Sequence, residues 1–236
     1  MGQGGRGAGA GRGGSLGRLV VAVTVWGGLL GAAPGVAAQS MMAGTPAESA
    51  HVAAIERAME SRTLGDRNAA VVVFEIADFQ CPYCAEFAGT VAPTLHERYV
   101  EPGDVQWVFV NLPLHSHPLA WHAAEAALCA GAAGDAFWPM HDKLFAEQDA
   151  WGSAADPAAQ FAEYAADLGV PAGPFAECTE GDYVAALILQ DLGSAISAGI
   201  TGTPTFIIMK DDQVVERLSG VQPVETWAEA LGRVIE

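Results

Sequence analysis

The segment from Val71 to Cys84 constrains this chain more than any other. Val71-Val72-Val73-Phe74-Glu75-Ile76-Ala77 is a β-branched run with no apolar–polar alternation. That pattern suits a central strand buried on both faces. The chain then runs directly into Cys81-Pro82-Tyr83-Cys84, which opens a helix predicted from about Pro82 to Tyr99, kinked at Pro93. The placement has chemical consequences. A helix N-terminus offers unpaired N–H groups and partial positive charge, which stabilise a thiolate. Cys81, at the helix start, is therefore expected to be the exposed and acidic thiol. Cys84, one turn on, is expected to be less exposed and to resolve a mixed disulfide. Pro82 fits the first helical turn, where its missing N–H costs nothing. The same spacing is half of a common zinc site, but zinc needs two further ligands.

A second strand is predicted at Val105–Val110, and helical patterning takes over from Pro118 to about Ser197. Its segments are Leu119–Ala130, Ala136–Glu147, Ala158–Leu168 and Tyr183–Ser197. Thr205–Met209 and Val214–Leu218 read as a hairpin turning at Asp211-Asp212, followed by an amphipathic helix from Glu225 to Ile235. The order β-α-β, helical block, β-β-α describes one α/β domain interrupted by a helical insertion. The hairpin begins at Gly202-Thr203-Pro204-Thr205. A proline there would break a strand interior. A cis Thr203–Pro204 bond close to the two cysteines accounts for its position. An ordinary trans proline opening a strand is the plainer reading of the motif taken alone.

Residues 1–18 are glycine-rich and carry Arg6, Arg12 and Arg18 with no acid, and an apolar run extends from Leu19 to about Ala33. Val36-Ala37-Ala38 supplies small residues for cleavage, so residues 1–38 read as a signal peptide. The run is short of the roughly 20 apolar residues of a membrane span. An uncleaved N-terminal membrane anchor is the alternative. Export places the mature chain where disulfides persist. The 28 acids against 11 bases give a net charge of −17, and residues 101–200 hold fourteen acids and one base, Lys143. Such a surface repels phosphate, which argues against a nucleic-acid partner.

The stretch Phe74–Cys84, with Gly202-Thr203-Pro204-Thr205 far downstream, resembles the DsbA-like thiol:disulfide oxidoreductases of the thioredoxin superfamily. The helical stretch with Ala126-Ala127-Leu128-Cys129-Ala130, Phe137-Trp138 and Leu144-Phe145 resembles that family's inserted domain. Pro204 follows Cys81 by 123 residues, which leaves room for an insertion. The resemblance implies an α/β thioredoxin fold with an inserted helical domain. A leader and short helix would occupy 39–62, the first part of the fold 63–117, the insertion 118–197 and the second part 198–236. It implies catalytic roles for Cys81 and Cys84 as a redox-active disulfide, and substrate contact at Thr203 and Pro204. It implies a disulfide-forming enzyme without cofactor or metal, acting in the periplasm on unfolded or reduced exported proteins. A membrane reoxidant of the DsbB or VKOR type would restore its disulfide.

Glu75 lies six residues before Cys81, where the family keeps a buried acid near the second cysteine. If buried, its pKa should rise, and it is assigned as proton acceptor for Cys84. An outward-facing Glu75 is the alternative. Asp78, which begins the turn, is expected to be exposed. Cys129 and Cys178 are left over in an exported chain and are expected to pair as a structural disulfide, in helical and loop context; a second redox couple is the alternative. His115, His117 and His122 read as a loop and helix start bordering the site rather than as a metal cluster. Trp107, Trp121, Trp138 and Trp151 read as core and groove wall. The rival functions are a disulfide reductase or isomerase on the same fold, left open by Tyr83 and Thr203, and a metal-binding module using Cys81, Cys84 and His115 or His117.

Overall fold

The computed structural model describes Met1 and residues 46–235. The signal peptide assigned to 1–38 and most of the leader lie outside the described residues. Among the described residues no helix is long and apolar enough to cross a membrane.

The described residues begin, after Met1, with helix α1 (Pro46–Ser61), within the span 39–62 expected to hold a leader and short helix, and a two-residue strand β1 (Thr63–Leu64). Strand β2 (Val71–Ala77) follows, then α2 (Pro82–Thr90), α3 (Ala92–Leu95) and a π-helical turn (His96–Val100). The predicted long helix is thus broken before Pro93, whose ring and missing N–H interrupt the helical ladder. Strand β3 (Val105–Asn111) leads into six helices: α4 (Ala120–Gly134), α5 (Phe137–Ala146), α6 (Gln148–Gly152), α7 (Pro157–Asp167), α8 (Ala172–Glu180) and α9 (Ala185–Ser197). Strands β4 (Thr205–Lys210) and β5 (Gln213–Ser219) and helix α10 (Val224–Ile235) close the fold. Asp211 and Asp212 both take left-handed φ, 49° and 60°, at the hairpin turn.

The five strands form one sheet in the order β1-β3-β2-β4-β5. β2 pairs parallel with β3 on one side and antiparallel with β4 on the other, so it is the central strand. One face of β2 presents Val71, Val73 and Glu75, all buried, against Trp107, Phe206, Ile208 and Trp227. The other face is less covered than the unbroken apolar run suggested, since Val72 and Phe74 are only half-buried. Beyond the patch where Ile76 meets Ala195 and Ile200, that face opens into hollows beside α1 and the β4–β5 turn.

One buried junction fixes the helical block to the sheet. Arg62 pairs with Asp191 of α9 at 2.5 Å, and the same carboxylate oxygen accepts the Asn111 backbone N–H and side-chain amide at 3.0 Å each. This buried junction sets the end of β3 and the loop after it. Cys129 of α4 and Cys178 form a disulfide, Cα–Cα 5.6 Å. Cys178 lies within α8, not in a loop. At Gly131 a Cβ would collide with the Ser61 hydroxyl, so glycine permits α1 to lie close on α4.

Candidate active site

The site is built on the turn between β2 and α2. Asp78 is buried, against the expectation of exposure. Its carboxylate accepts the N–H of Gln80 and of Leu114, both at 2.7 Å, and lies 2.8 Å from His117 Nδ1. These partners satisfy the charge and replace solvent. The Asp78 carbonyl in turn accepts the Cys81 N–H at 3.0 Å. Two glutamines hold the same loop. Gln80 Oε1 accepts the Leu119 N–H at 2.8 Å. Gln148 of α6 donates to the carbonyls of Phe79 and Cys81, at 2.8 and 3.0 Å. The helical block therefore grips the backbone of the cysteine turn directly. His117 belongs to this support, while His115 and His122 are exposed and stand apart from it.

Cys81 is the N-cap of α2, in extended conformation, with Pro82 at the first helical position. Both thiols are free. Cys84 is fully buried, and Cys81, expected to be exposed, is itself only 4% exposed. The cause is the β4 entry loop. The Thr203–Pro204 peptide is cis and the Thr203 carbonyl lies 3.5 Å from Cys81 Sγ. Pro82 and Tyr83 are the exposed members of the motif, Tyr83 at 62%.

The thiols are driven apart electrostatically. Cys81 is lowered to about 5, chiefly because the Cys84 thiol donates to its sulfur, with the Thr203 hydroxyl and the N–H groups of Cys84 and Tyr83 adding to it against the cost of burial. Cys84 is raised well above the ordinary thiol value by burial first, then by its bond to Cys81 and that thiolate's charge. One sulfur is thus a thiolate at neutral pH and its neighbour a protonated thiol.

Glu75 is 1% exposed on β2. Trp107 Nε1 donates to its Oε2 at 2.8 Å, and Oε1 has no hydrogen-bond partner. Burial raises its pKa, opposed by the charge of His141 and by the Trp107 bond. The structure brings Cys81 and Cys84 together on one turn and sets Thr203, with its cis bond to Pro204, against Cys81. It ties Glu75 to Trp107, His141 and Asp142 on the face beneath α2 and α5. Gln148 was not singled out from sequence, and Asp78 and His117 were read only as an exposed turn acid and as part of a loop bordering the site. Their bonds span 36 to 69 residues, and no local pattern marks them.

A central sheet carrying a two-cysteine turn, faced by a proline loop and covered by inserted helices, defines a thioredoxin-type fold with a DsbA-like insertion. The chain belongs to the thioredoxin family, whose model matches residues 57–231. It is 40% identical over 145 residues to a Na+/H+ antiporter NhaA of Salinispora tropica, covering 61% of this chain and 21% of that one. It is 33% identical over 85 residues to the disulfide bond formation protein D of Bacillus subtilis, covering 36% of this chain and 38% of that one. Among solved structures, alpha-DsbA1 of Wolbachia pipientis superposes with a TM-score of 0.65 at 23% identity, covering 74% of this chain and 90% of that one. The chain matches about a fifth of the antiporter's length.

Proposed function

We propose that the protein is an exported thiol:disulfide oxidoreductase that introduces disulfides into reduced proteins through Cys81 and Cys84. The observation that carries this reading is the split between the two sulfurs, a thiolate at Cys81 and a protonated thiol at Cys84, on a turn faced by the Thr203 carbonyl. A strongly stabilised thiolate favours the reduced pair, and a stable reduced form makes the disulfide an oxidant. This weighs for an oxidase over a reductase or isomerase. The Bacillus subtilis relative, named for disulfide bond formation, points the same way.

A substrate thiolate attacks Cys81 Sγ of the oxidised pair. The Cys81–Cys84 bond breaks, and the Cys84 sulfur leaves with the electron pair and takes a proton. A second substrate thiolate attacks the substrate sulfur of the mixed disulfide, releasing Cys81 as a thiolate. Two substrate thiols lose two electrons and two protons; the pair gains the electrons. Glu75, buried and with a raised pKa, gives the proton to Cys84 in this direction and accepts it in the reverse. Thr203 offers its backbone beside the reacting sulfur, so an extended substrate segment pairs there by main chain. Residues 1–38, read as a signal peptide, would put this reaction in the periplasm or another extracytoplasmic space. Unfolded exported proteins are the substrates there, and a membrane protein of the DsbB or VKOR type is the reoxidant.

The test is stoichiometric. Oxidised protein mixed with a reduced, unfolded polypeptide is expected to remove two substrate thiols for each Cys81–Cys84 disulfide consumed. An oxidised pair that leaves the substrate thiols untouched contradicts the reading.

A further inference from the structure

A buried carboxyl can serve turnover after turnover only if its proton exchanges with solvent, and the geometry around Glu75 shows where. At Cys81 only 4% of the residue is exposed beside the Thr203 loop, and a substrate in mixed disulfide with its sulfur would cover the rest. Trp107 holds one Glu75 oxygen through an indole N–H, which donates only and cannot pass a proton on. The free oxygen, Oε1, belongs to a group of buried polar atoms without hydrogen-bond partners that also includes His96 Nε2 and His141 Nε2.

These groups cluster on one face of the sheet. Glu75 is the register partner of Phe109, and the His141 ring packs edge-on against Phe109 at 5.2 Å. The His96 ring packs edge-on against Trp107 at 5.1 Å. Both histidines line a cavity of about 320 Å³ between α5 and the α2–α3 segment. A water molecule occupies about 30 Å³ of liquid, so the cavity has room for several, and the unpartnered nitrogens are the groups that hold water in such a space. From α2 the cavity receives Ala85, Ala88 and Gly89, directly behind Cys84. On the outer side His141 Nδ1 lies 2.8 Å from Asp142 Oδ1, and the Asp142 side chain is 77% exposed. Glu75 itself does not line the cavity; His141, which packs on Phe109 beside it and whose charge acts on it, is the group that joins it to the cavity and, through Asp142, to solvent.

We propose that His141, with Asp142 and the cavity they border, is the proton port of Glu75, exchanging its proton with solvent while substrate covers Cys81. The proposal rests on Glu75 being the acid–base group for Cys84. When Glu75 has given its proton to the leaving Cys84 sulfur, its carboxylate is reprotonated from His141. His141 then takes a proton from solvent at the Asp142 side. In reoxidation every transfer reverses. An imidazole suits this task because it accepts at one nitrogen while releasing from the other. The titratable groups facing His141 are Glu75 from β2, His96 from the π-helical turn and Asp142 beside it on α5. His96 is lowered to about 4, by burial first, so it stays neutral at working pH and orients rather than carries the proton.

The experiment is single-turnover oxidation of a reduced peptide by the full-length oxidised protein, measured across pH and in H2O and D2O. Glu75→Gln and His141→Gln are each expected to slow the step by about tenfold, less than the full contribution of a positioned acid because cavity water offers a slower route. The double variant should be no slower than either single one. Added imidazole should restore His141→Ala and leave Glu75→Gln unchanged. Asp142→Asn, at an exposed position where folding is secure, should slow the step about threefold with an enlarged solvent isotope effect. If Glu75→Gln runs at the parent rate, the role of Glu75 itself falls. If Glu75→Gln is slow while His141→Gln is as fast as the parent, the port is overturned and Glu75 stands. If the His141 variants do not fold, an Asp142→Asn protein with unchanged rate and isotope effect overturns it.

Discussion

Cys81→Ser is expected to abolish disulfide exchange, whereas Cys84→Ser is expected to accumulate mixed disulfides with substrate. The division follows from burial and charge. Cys81 holds its sulfur at the start of α2, less deeply buried than Cys84 and beside the Thr203 carbonyl, and its low pKa makes it the thiolate at neutral pH. Only the thiolate attacks or is released readily in exchange. Cys84 is fully buried and meets only a sulfur already bonded to Cys81. Without Cys84 the mixed disulfide still forms when Cys81 meets a substrate disulfide, but nothing inside the protein resolves it. Non-reducing electrophoresis and intact mass distinguish the cases. Equal trapping by both variants would contradict the assignment of roles.

Removing the second cysteine pair is expected to act on stability instead. Cys129→Ala/Cys178→Ala should lower unfolding free energy by about 4 kcal/mol, the loop-closure contribution for a separation of 49 residues. That is a large share of the total, since domains are stable by only about 5–15 kcal/mol. The bridge joins α4 to α8 inside the helical block. Exchange activity should survive in the folded variant. Chemical unfolding gives the first quantity, and peptide oxidation at a temperature where the variant stays folded gives the second. Lost activity in a folded double variant would make the pair a redox relay.

The parts of this structure that follow from contiguous residues were legible in the sequence. The β2 run, the helix opened by Pro82, and the hairpin turning at Asp211-Asp212 each carry their own pattern over a few residues. The connection between Cys81 and Thr203 was legible only because two separate motifs matched one family. What escaped was set by distant partners. Asp78 looked like an exposed turn acid until Leu114 and His117 arrived from beyond β3. Gln148 looked like any helical glutamine, yet it holds two carbonyls of the cysteine turn. Cys81 looked exposed because nothing local covers a helix start; the cover comes from Thr203, 122 residues away. Val72 and Phe74 looked fully buried because an apolar run reports the sheet's center, not how far α9 reaches across its second face.

The equilibrium potential of the Cys81/Cys84 pair against glutathione, followed over pH, tests the central claim most directly. The lowered Cys81 pKa stabilises the reduced form. That stabilisation is fully present above the ordinary thiol range and is lost as pH falls through about 5. Because tenfold in this two-electron equilibrium is about 30 mV, the potential should change by about 59 mV per pH unit below pH 5 and about 30 mV above it. At pH 7 the value should be more positive than about −200 mV, on the oxidising side of a glutathione buffer. A value near the roughly −270 mV of thioredoxin, with the steeper slope continuing to neutral pH, would contradict a thiolate-stabilised oxidase.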